Sequence, residues 1–452
     1  MTSHINPRIA IVGAGPAGIY AADILLGRVP DARIDLIEKL PAPYGLVRYG
    51  VAPDHPRIRK IIDALHDVLL HPGIRLRCNV EVGVDVTIDE LRAAYDGVII
   101  ATGADRDLPF TIPGAELAGC VGAADFVAWY DGHPDAPSDW GLDTPSVAVL
   151  GAGNVALDVT RILAKHGAAL ESTDTPDSII DRLSVSGIRD VHLFARRGPA
   201  DVRFSALELR ELGEQRDVEV IVDPGELELD AHAERMLEQF SQRRIIVRTL
   251  TEWAQRPAQG TASRRIHLHF RHNPVRILGA DRVEGIEFER TASDPLGRMT
   301  GTGELVRYEV GAVYRAIGYR SSPVPGAPFD VDRGVMPHAE GRVLDAEGRA
   351  IPRLYATGWI KRGPVGLIGS TKSDAAQTVA HLVDDLASTA PVAGGADPLA
   401  GLGAAVDWNG WLRIDEAERR AGAARGRERT KIVSREEMLG HAHVPTMTES
   451  IR

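Results

Sequence analysis

Cysteine is scarce in this chain. Cys78 and Cys120 are the only two in 452 residues. That excludes a disulfide framework, a CxxC redox pair, and a four-thiolate metal or iron–sulfur centre held by this chain alone. Positive charge is in the minority: 52 Lys and Arg stand against 63 Asp and Glu, a net charge of −11. A general nucleic-acid binder is basic, so the balance argues against that class, and an acidic protein partner would need a local basic patch. No apolar run reaches the ~20 residues of a membrane span. The opening MTSHINPRIAIVGAG lacks a basic segment followed by a long apolar one, so no signal peptide is expected. Together these absences predict a cytoplasmic globular chain.

Glycine, by contrast, is abundant at 46 residues, within an ordinary 44% hydrophobic and 25% charged composition. At about 150 residues per domain the length predicts two or three domains. RIAIV at 8–12 reads as a strand, GAGPAG as a turn, IYAADILLG as an apolar-faced helix, and RIDLIEK as a second strand. This is a βαβ unit, the building block of parallel sheets. A second unit begins at Ser146 with SVAVL, GAGNVA, LDVTRILAKHG and, after an insertion, DVHLFARRG. Thr249–Gly311 reads as antiparallel strands, Ser370–Ala387 as a long helix, and Ser388–Leu402 as an Ala/Gly/Pro/Ser-rich linker. The charged segment Asp415–Glu437 reads as a peripheral helical tail.

Gly13-Ala14-Gly15-Pro16-Ala17-Gly18 fits G-x-G-x-x-G between strand and helix. Its first glycine suits the tight turn, its second lets backbone approach a pyrophosphate, and its third allows close helix packing. The helix N-terminus offers N–H groups to the phosphates. Glu38 ends the next strand and can accept ribose hydroxyls. Gly151-Ala152-Gly153-Asn154-Val155-Ala156 fits the G-x-G-x-x-A variant. Where an acid would read a bare ribose, Arg196 and Arg197 stand instead. Two guanidiniums there suit a dianionic 2′-phosphate, so NADP(H) is expected over NAD(H). Glu208 and Glu211, three apart on a helical segment, share a face.

The strings GLVRYGVAPDHP (45–56), GAGNVALDVTRIL (151–163), ARRGPADVRFSALELRELG (195–213) and GWIKRGPVGLIGSTKSDA (358–375) carry a family resemblance. With ATG at 101–103 and YATG at 355–358, they resemble the ferredoxin–NADP(+) reductases of the adrenodoxin-reductase type, from Arg8 to Leu386. The implied fold class is α/β with two Rossmann-like dinucleotide-binding domains. The FAD domain is discontinuous (1–104 and 321–388), the NADP domain is inserted (105–320), and a linker and tail follow (389–452).

The resemblance implies FAD over Gly13, Ala14, Gly15 and Gly18 with Glu38 on its ribose. Leu46, Val82, Trp359, Gly366, Leu367 and Ile368 would hold the rest of it. NADP(H) would use Gly151, Ala152, Gly153, Asn154, Val155, Arg196 and Arg197, with Glu208 nearby. His55 would belong to a polar network near the isoalloxazine, joined by Asp158 and Glu211, and these three are the candidate catalytic residues. No metal is expected. The implied reaction passes a hydride from NADPH to the flavin and single electrons on to a ferredoxin. Docking of that acidic partner is expected at the basic run Arg243, Arg244 and Arg248, bordered by Arg203 and Lys361. Two other readings stay open at this point: an NADPH-dependent FAD monooxygenase or oxidase, and a nucleotide-sensing flavoprotein without turnover.

Overall fold

The computed structural model describes residues 6–257, 260–366, 368–392 and 396–443. Arg8–Val12, Arg33–Glu38 and Gly97–Ile100 are almost wholly buried on both faces, the pattern of central strands in a parallel sheet covered on both sides. They lie in a seven-stranded sheet ordered His338–Ala339, Arg342–Leu344, Ala350–Ala356, Gly97–Ile100, Arg8–Val12, Arg33–Glu38, Ile74–Cys78. The last five run parallel. Strands from both ends of the sequence therefore share one sheet. The helices Pro16–Arg28 and Ile368–Ser388 pack together against it.

A second, six-stranded sheet is ordered Cys120–Gly122, Ala312–Arg315, Ser146–Leu150, Asp190–Phe194, Arg264–His269, Val218–Val222. All of its pairings are parallel. The chain crosses between the two lobes twice, and Arg106–Asp107 and Tyr319–Arg320 pair antiparallel where it does so. The Asp107 carboxylate accepts the Ala124 N–H at 3.1 Å, which caps the start of the helix Ala123–Tyr130.

Two expectations change. Only part of 249–311 is antiparallel. Residues up to Ala254 complete the helix Ser241–Ala254, and Arg264–His269 joins the parallel sheet. The antiparallel element is the three-stranded sheet His272–Leu278, Gly285–Ser293, Met299–Tyr308. Alternation along RIHLHF does not report strand direction, because the direction depends on which neighbours the crossovers bring alongside.

The second change concerns the tail, which is not peripheral. Val406 pairs with Cys78 through two backbone hydrogen bonds of 2.8 Å. Trp411, Ile414, Ile432 and Met438, from the helices Trp408–Ala423 and Arg435–Ala442 and the stretch between them, sit in the apolar core of the first lobe. The charged composition hid a stripe of widely spaced apolar residues that tertiary packing buries.

Candidate functional site

The first glycine turn is built by close approach. Gly13 has φ +110°, and a Cβ there would meet the Ala101 carbonyl oxygen at 2.5 Å. A Cβ on Gly18 would meet the Gly13 oxygen at 1.9 Å, so the helix is pressed onto the strand as the third glycine of the motif requires. Glu38 is buried and accepts the Ala14 N–H at 2.9 Å and the Leu40 N–H at 3.0 Å. Burial pushes its carboxyl up, and the two backbone donors act against that shift. Glu38 thus holds the turn while it lines the cleft described below.

At the second turn Gly153 is extended, and nothing lies within 4 Å of where its Cβ would project. The backbone there is open to a ligand's approach. The Ala152 carbonyl accepts the N–H groups of Arg203 and Phe204, and Asn154 Oδ1 accepts the Ser205 N–H at 2.9 Å. The helices Pro16–Arg28 and Asn154–Ala164 both begin without a side-chain cap, unlike Thr87, Ser205, Asp230 and Asp407 at other helix starts. Pro16 has no N–H and the Ala156 N–H is bonded to the Gly153 carbonyl, which leaves those of Ala17, Gly18, Asn154 and Val155 for phosphate oxygens. The residues present therefore fit two dinucleotides. Arg196 is exposed and makes no side-chain hydrogen bond with the described residues, whereas Arg197 donates to the Gly297 oxygen at 3.1 Å.

Between the lobes lies a cleft of about 500 Å³. Its walls include Gly13, Gly15, Glu38, Leu46, Val82 and Trp359, together with Val155 from the second glycine turn. Trp359 opens a helical turn whose approach is anchored by Asp374, which accepts from Gly358 N–H at 2.6 Å and Thr357 Oγ1 at 3.1 Å. Gly366 has φ +90°, and a Cβ there would meet Ser370 Oγ at 2.4 Å. Leu367 lies outside the described residues. Ile368 opens the helix that ends at Ser388.

The candidate catalytic residues meet across the two lobes. His55 Nε2 is 2.9 Å from Asp158 Oδ1 and 3.3 Å from Glu208 Oε2, and its Nδ1 is 3.4 Å from Glu211 Oε2. Burial opposes a charge on His55, but the hydrogen bonds to Asp158 and Glu208 outweigh it and push its pKa up to about 10. The raised pKa favours the charged ring, with a carboxylate beside each nitrogen, while the Arg161 guanidinium, whose Nη2 lies 2.7 Å from Nε2, acts against that charge.

Sequence reasoning missed the centre of this cluster. Arg161, 1% exposed, donates to Asp54 from both Nε and Nη2 at 2.8 Å and to Asp158 at 2.8 Å, and it lies 3.4 Å from Glu211. Lys165 adds a second cation on Asp54. Burial opposes ionisation of Asp54, but these two cations hold its carboxyl well below the usual range. The signal was present. Asp158 and Arg161, three apart, share one face of the helix after the second glycine turn, and Lys165 follows directly on its end.

The expected docking run is largely engaged by its own chain. Arg243 bonds to the Ala200 oxygen and Asp201, Arg244 to the Leu237 and Glu238 oxygens, and Arg248 lies 3.8 Å from Glu252. Lys361 does not border this run as an exposed charge. It is 2% exposed and bonded to Asp374, Gln377 and Thr378.

One glycine turn on the cleft wall, and a second that reaches it through Val155, make the geometry of a two-dinucleotide oxidoreductase. The chain belongs to the pyridine nucleotide-disulphide oxidoreductase family, whose model matches residues 7–364. Within it, the chain groups with the NADPH-ferredoxin and adrenodoxin reductases. It is 39% identical to NADPH-ferredoxin reductase FprA of Mycobacterium tuberculosis, over 95% of this chain and 98% of that one. To the human mitochondrial NADPH:adrenodoxin oxidoreductase it is 37% identical, over 97% and 92%. The solved structure of M. tuberculosis FprA in complex with NADPH superposes with a TM-score of 0.89 at 37% identity, covering 97% of this chain and 99% of that chain. The disulphide in the family's description has no counterpart here, because Cys78 and Cys120 are both free and stand in different sheets.

Proposed function

We propose that this protein oxidises NADPH at a bound FAD and delivers the electrons singly to a ferredoxin. The balance is NADPH plus two oxidised ferredoxins giving NADP⁺, one proton and two reduced ferredoxins. The observation that carries the reading is the shared cleft, with Gly13, Gly15 and Glu38 on one side and Val155 on the other. FAD, when bound, supplies a two-electron acceptor that can release electrons one at a time.

The chain's own residues bind, orient and shield. Residues 1–104 and 321–388 would form the FAD domain, with Gly13, Ala14, Gly15, Gly18, Glu38, Leu46, Val82, Trp359 and Gly366–Ile368 holding that cofactor. Residues 105–320 would hold NADP(H) through Gly151–Val155, Arg196 and Arg197, and 389–452 follow as the tail. Arg196 would take the 2′-phosphate with a free guanidinium, and Arg197 would share its own with the Gly297 carbonyl. His55, Asp158 and Glu211 would keep a fixed charge and a held proton one helical turn from Val155, at the cleft wall. Glu208, beside His55, would lie near the nicotinamide side.

The partner is a ferredoxin-type protein; for it to dock on Arg243, Arg244 and Arg248, Arg243 and Arg244 would give up oxygens they bond to here, while Arg248 is already exposed. No helix of the described residues is long and apolar enough to cross a membrane. A cytoplasmic setting is part of the same proposal.

Anaerobic mixing of the purified yellow protein with NADPH should bleach the flavin, and added ferredoxin should restore its colour. No bleaching would overturn the reading. Fast NADPH consumption with oxygen and no carrier would assign an oxidase instead.

A further inference from the structure

The C-terminal segment does more than cover a core. At Glu418 and again at 427–435 it passes between the two lobes and bonds to both. Lys431 is 3% exposed. Its ammonium donates to the Arg48 carbonyl at 2.8 Å, the Asp131 carbonyl at 2.9 Å and Asp131 Oδ1 at 3.3 Å. The three N–H donors of the ammonium meet three oxygens, with Asp174 Oδ2 a further 3.5 Å away; burial lowers the pKa of the group, and Asp131 and Asp174 act against that shift. One oxygen belongs to the first lobe and two to the second.

Both contacts adjoin the cleft. Arg48 lies between Val47 and Tyr49, and Asp131 lies two residues before His133; Val47, Tyr49 and His133 all line the cleft. The Tyr49 and His133 rings touch across the lobes, with centroids 5.1 Å apart, and Lys431 Nζ stands 5.9 Å from the Tyr49 ring. Neighbouring ties run the same way. Glu418, fully buried, pairs with Arg48 and accepts the Ile432 N–H at 3.0 Å. Arg59 spans from the Val51 carbonyl to Asp131 and Asp174. Arg435 reaches the Lys39 carbonyl and Asn79 on one lobe and Asp135 on the other.

We propose that Lys431 is a positioning residue for hydride transfer. Its ammonium, carried in by the C-terminal strap, sets how far apart the two walls of the cofactor cleft stand. A buried ion pair is a poor device for stability alone, since well-packed apolar residues of similar volume serve as well or better. A point charge with three fixed acceptors does define a distance, and hydride transfer is steeply sensitive to the placement of its two partners. The inference rests on the two-cofactor reading above.

The test uses the full-length, FAD-loaded enzyme with Lys431→Met, and with Lys431→Gln as the milder companion. FAD content and the NADPH dissociation constant should stay within about twofold, since neither glycine turn is touched. The rate of flavin bleaching at saturating NADPH should fall by roughly tenfold or more, the scale of a small misplacement of reacting groups. Without NADPH, amide hydrogen exchange should accelerate in 46–51 and 131–133 and stay unchanged in 146–150. An unchanged bleaching rate with only a lower unfolding midpoint would overturn the proposal and leave the strap a stabilising element. Failure of both variants to fold would overturn it in the same way. If NADPH fails to bleach even the wild-type protein, the two-cofactor reading is what fails, and the exchange pattern still decides whether Lys431 holds the walls.

Discussion

Asp54 and Arg161, 107 residues apart in sequence, meet through two parallel 2.8 Å hydrogen bonds between the lobes. A bidentate guanidinium–carboxylate pair fixes orientation as well as distance. It holds Asp54 and the adjacent His55 against the helix Asn154–Ala164 and the pair Glu208 and Glu211. Replacing Arg161 with Met would leave Lys165 as the cation on Asp54 and His55 as the cation facing Asp158, Glu208 and Glu211, four carboxylates sharing two partners. Stability should fall by about 3–5 kcal/mol, the usual cost of removing one partner of a buried pair, as read by urea denaturation. A loss under about 1 kcal/mol would show that these charges are solvated in solution.

The charge on His55 gives stability a pH signature. Its pKa in the folded protein is raised from 6.5 to about 10. The stabilisation is therefore fully present below pH 6.5 and is lost as pH rises through about 10. His55→Gln removes this contribution. Between pH 6 and 10.5 the wild-type Tm should fall more steeply than the variant's, by about 1 °C for each kcal/mol lost in a chain of 452 residues. Parallel curves would mean that the ring titrates normally.

Arg196 and Arg197 should read the 2′-phosphate unequally. Arg196→Ala removes a guanidinium that makes no side-chain hydrogen bond within the described residues, and charge-assisted bonds of this kind are each worth about 1.5–3 kcal/mol. KM for NADPH should rise roughly tenfold or more while KM for NADH changes little. Arg197→Ala should weaken NADPH binding less per side chain lost, because Arg197 already serves the Gly297 carbonyl. Equal effects on both coenzymes would show that neither arginine contacts the 2′-phosphate.

Two glycine substitutions should separate binding from folding. Gly153→Ala projects a methyl where nothing of the protein lies within 4 Å. The variant should fold with unchanged Tm and retain FAD, yet lose NADPH affinity by tenfold or more, as measured by titration. Gly18→Ala drives a methyl to 1.9 Å from the Gly13 carbonyl, so folded yield and FAD content should both collapse. A well-folded, yellow Gly18→Ala protein would show that the turn relaxes freely.

Charge reversal at the basic run tests the partner surface. Arg243→Glu with Arg244→Glu should raise KM for ferredoxin several-fold and leave ferricyanide reduction intact. Arg243→Glu also removes the bonds to Ala200 and Asp201, so a modest drop in Tm should accompany it. An unchanged ferredoxin KM would place docking elsewhere.

The parts of the site that were legible in the sequence are those set over short stretches of chain. GAGPAG and GAGNVA announce their turns because glycine spacing dictates backbone geometry within six residues. Arg196 and Arg197 stand out in the sequence because they follow closely on the strand Asp190–Phe194. Glu208 and Glu211 share a face because helical periodicity places them there. What only the tertiary structure decided lies between residues far apart in the chain. Arg161 became the hub of the His55 cluster, Lys361 was withdrawn from the surface, and the charged tail threaded Lys431 and Glu418 between the lobes. Those outcomes depend on how two separately formed sheets dock. Docking selects partners by complementary shape and by the need to satisfy every buried charge, and neither condition is written into the local pattern of residues.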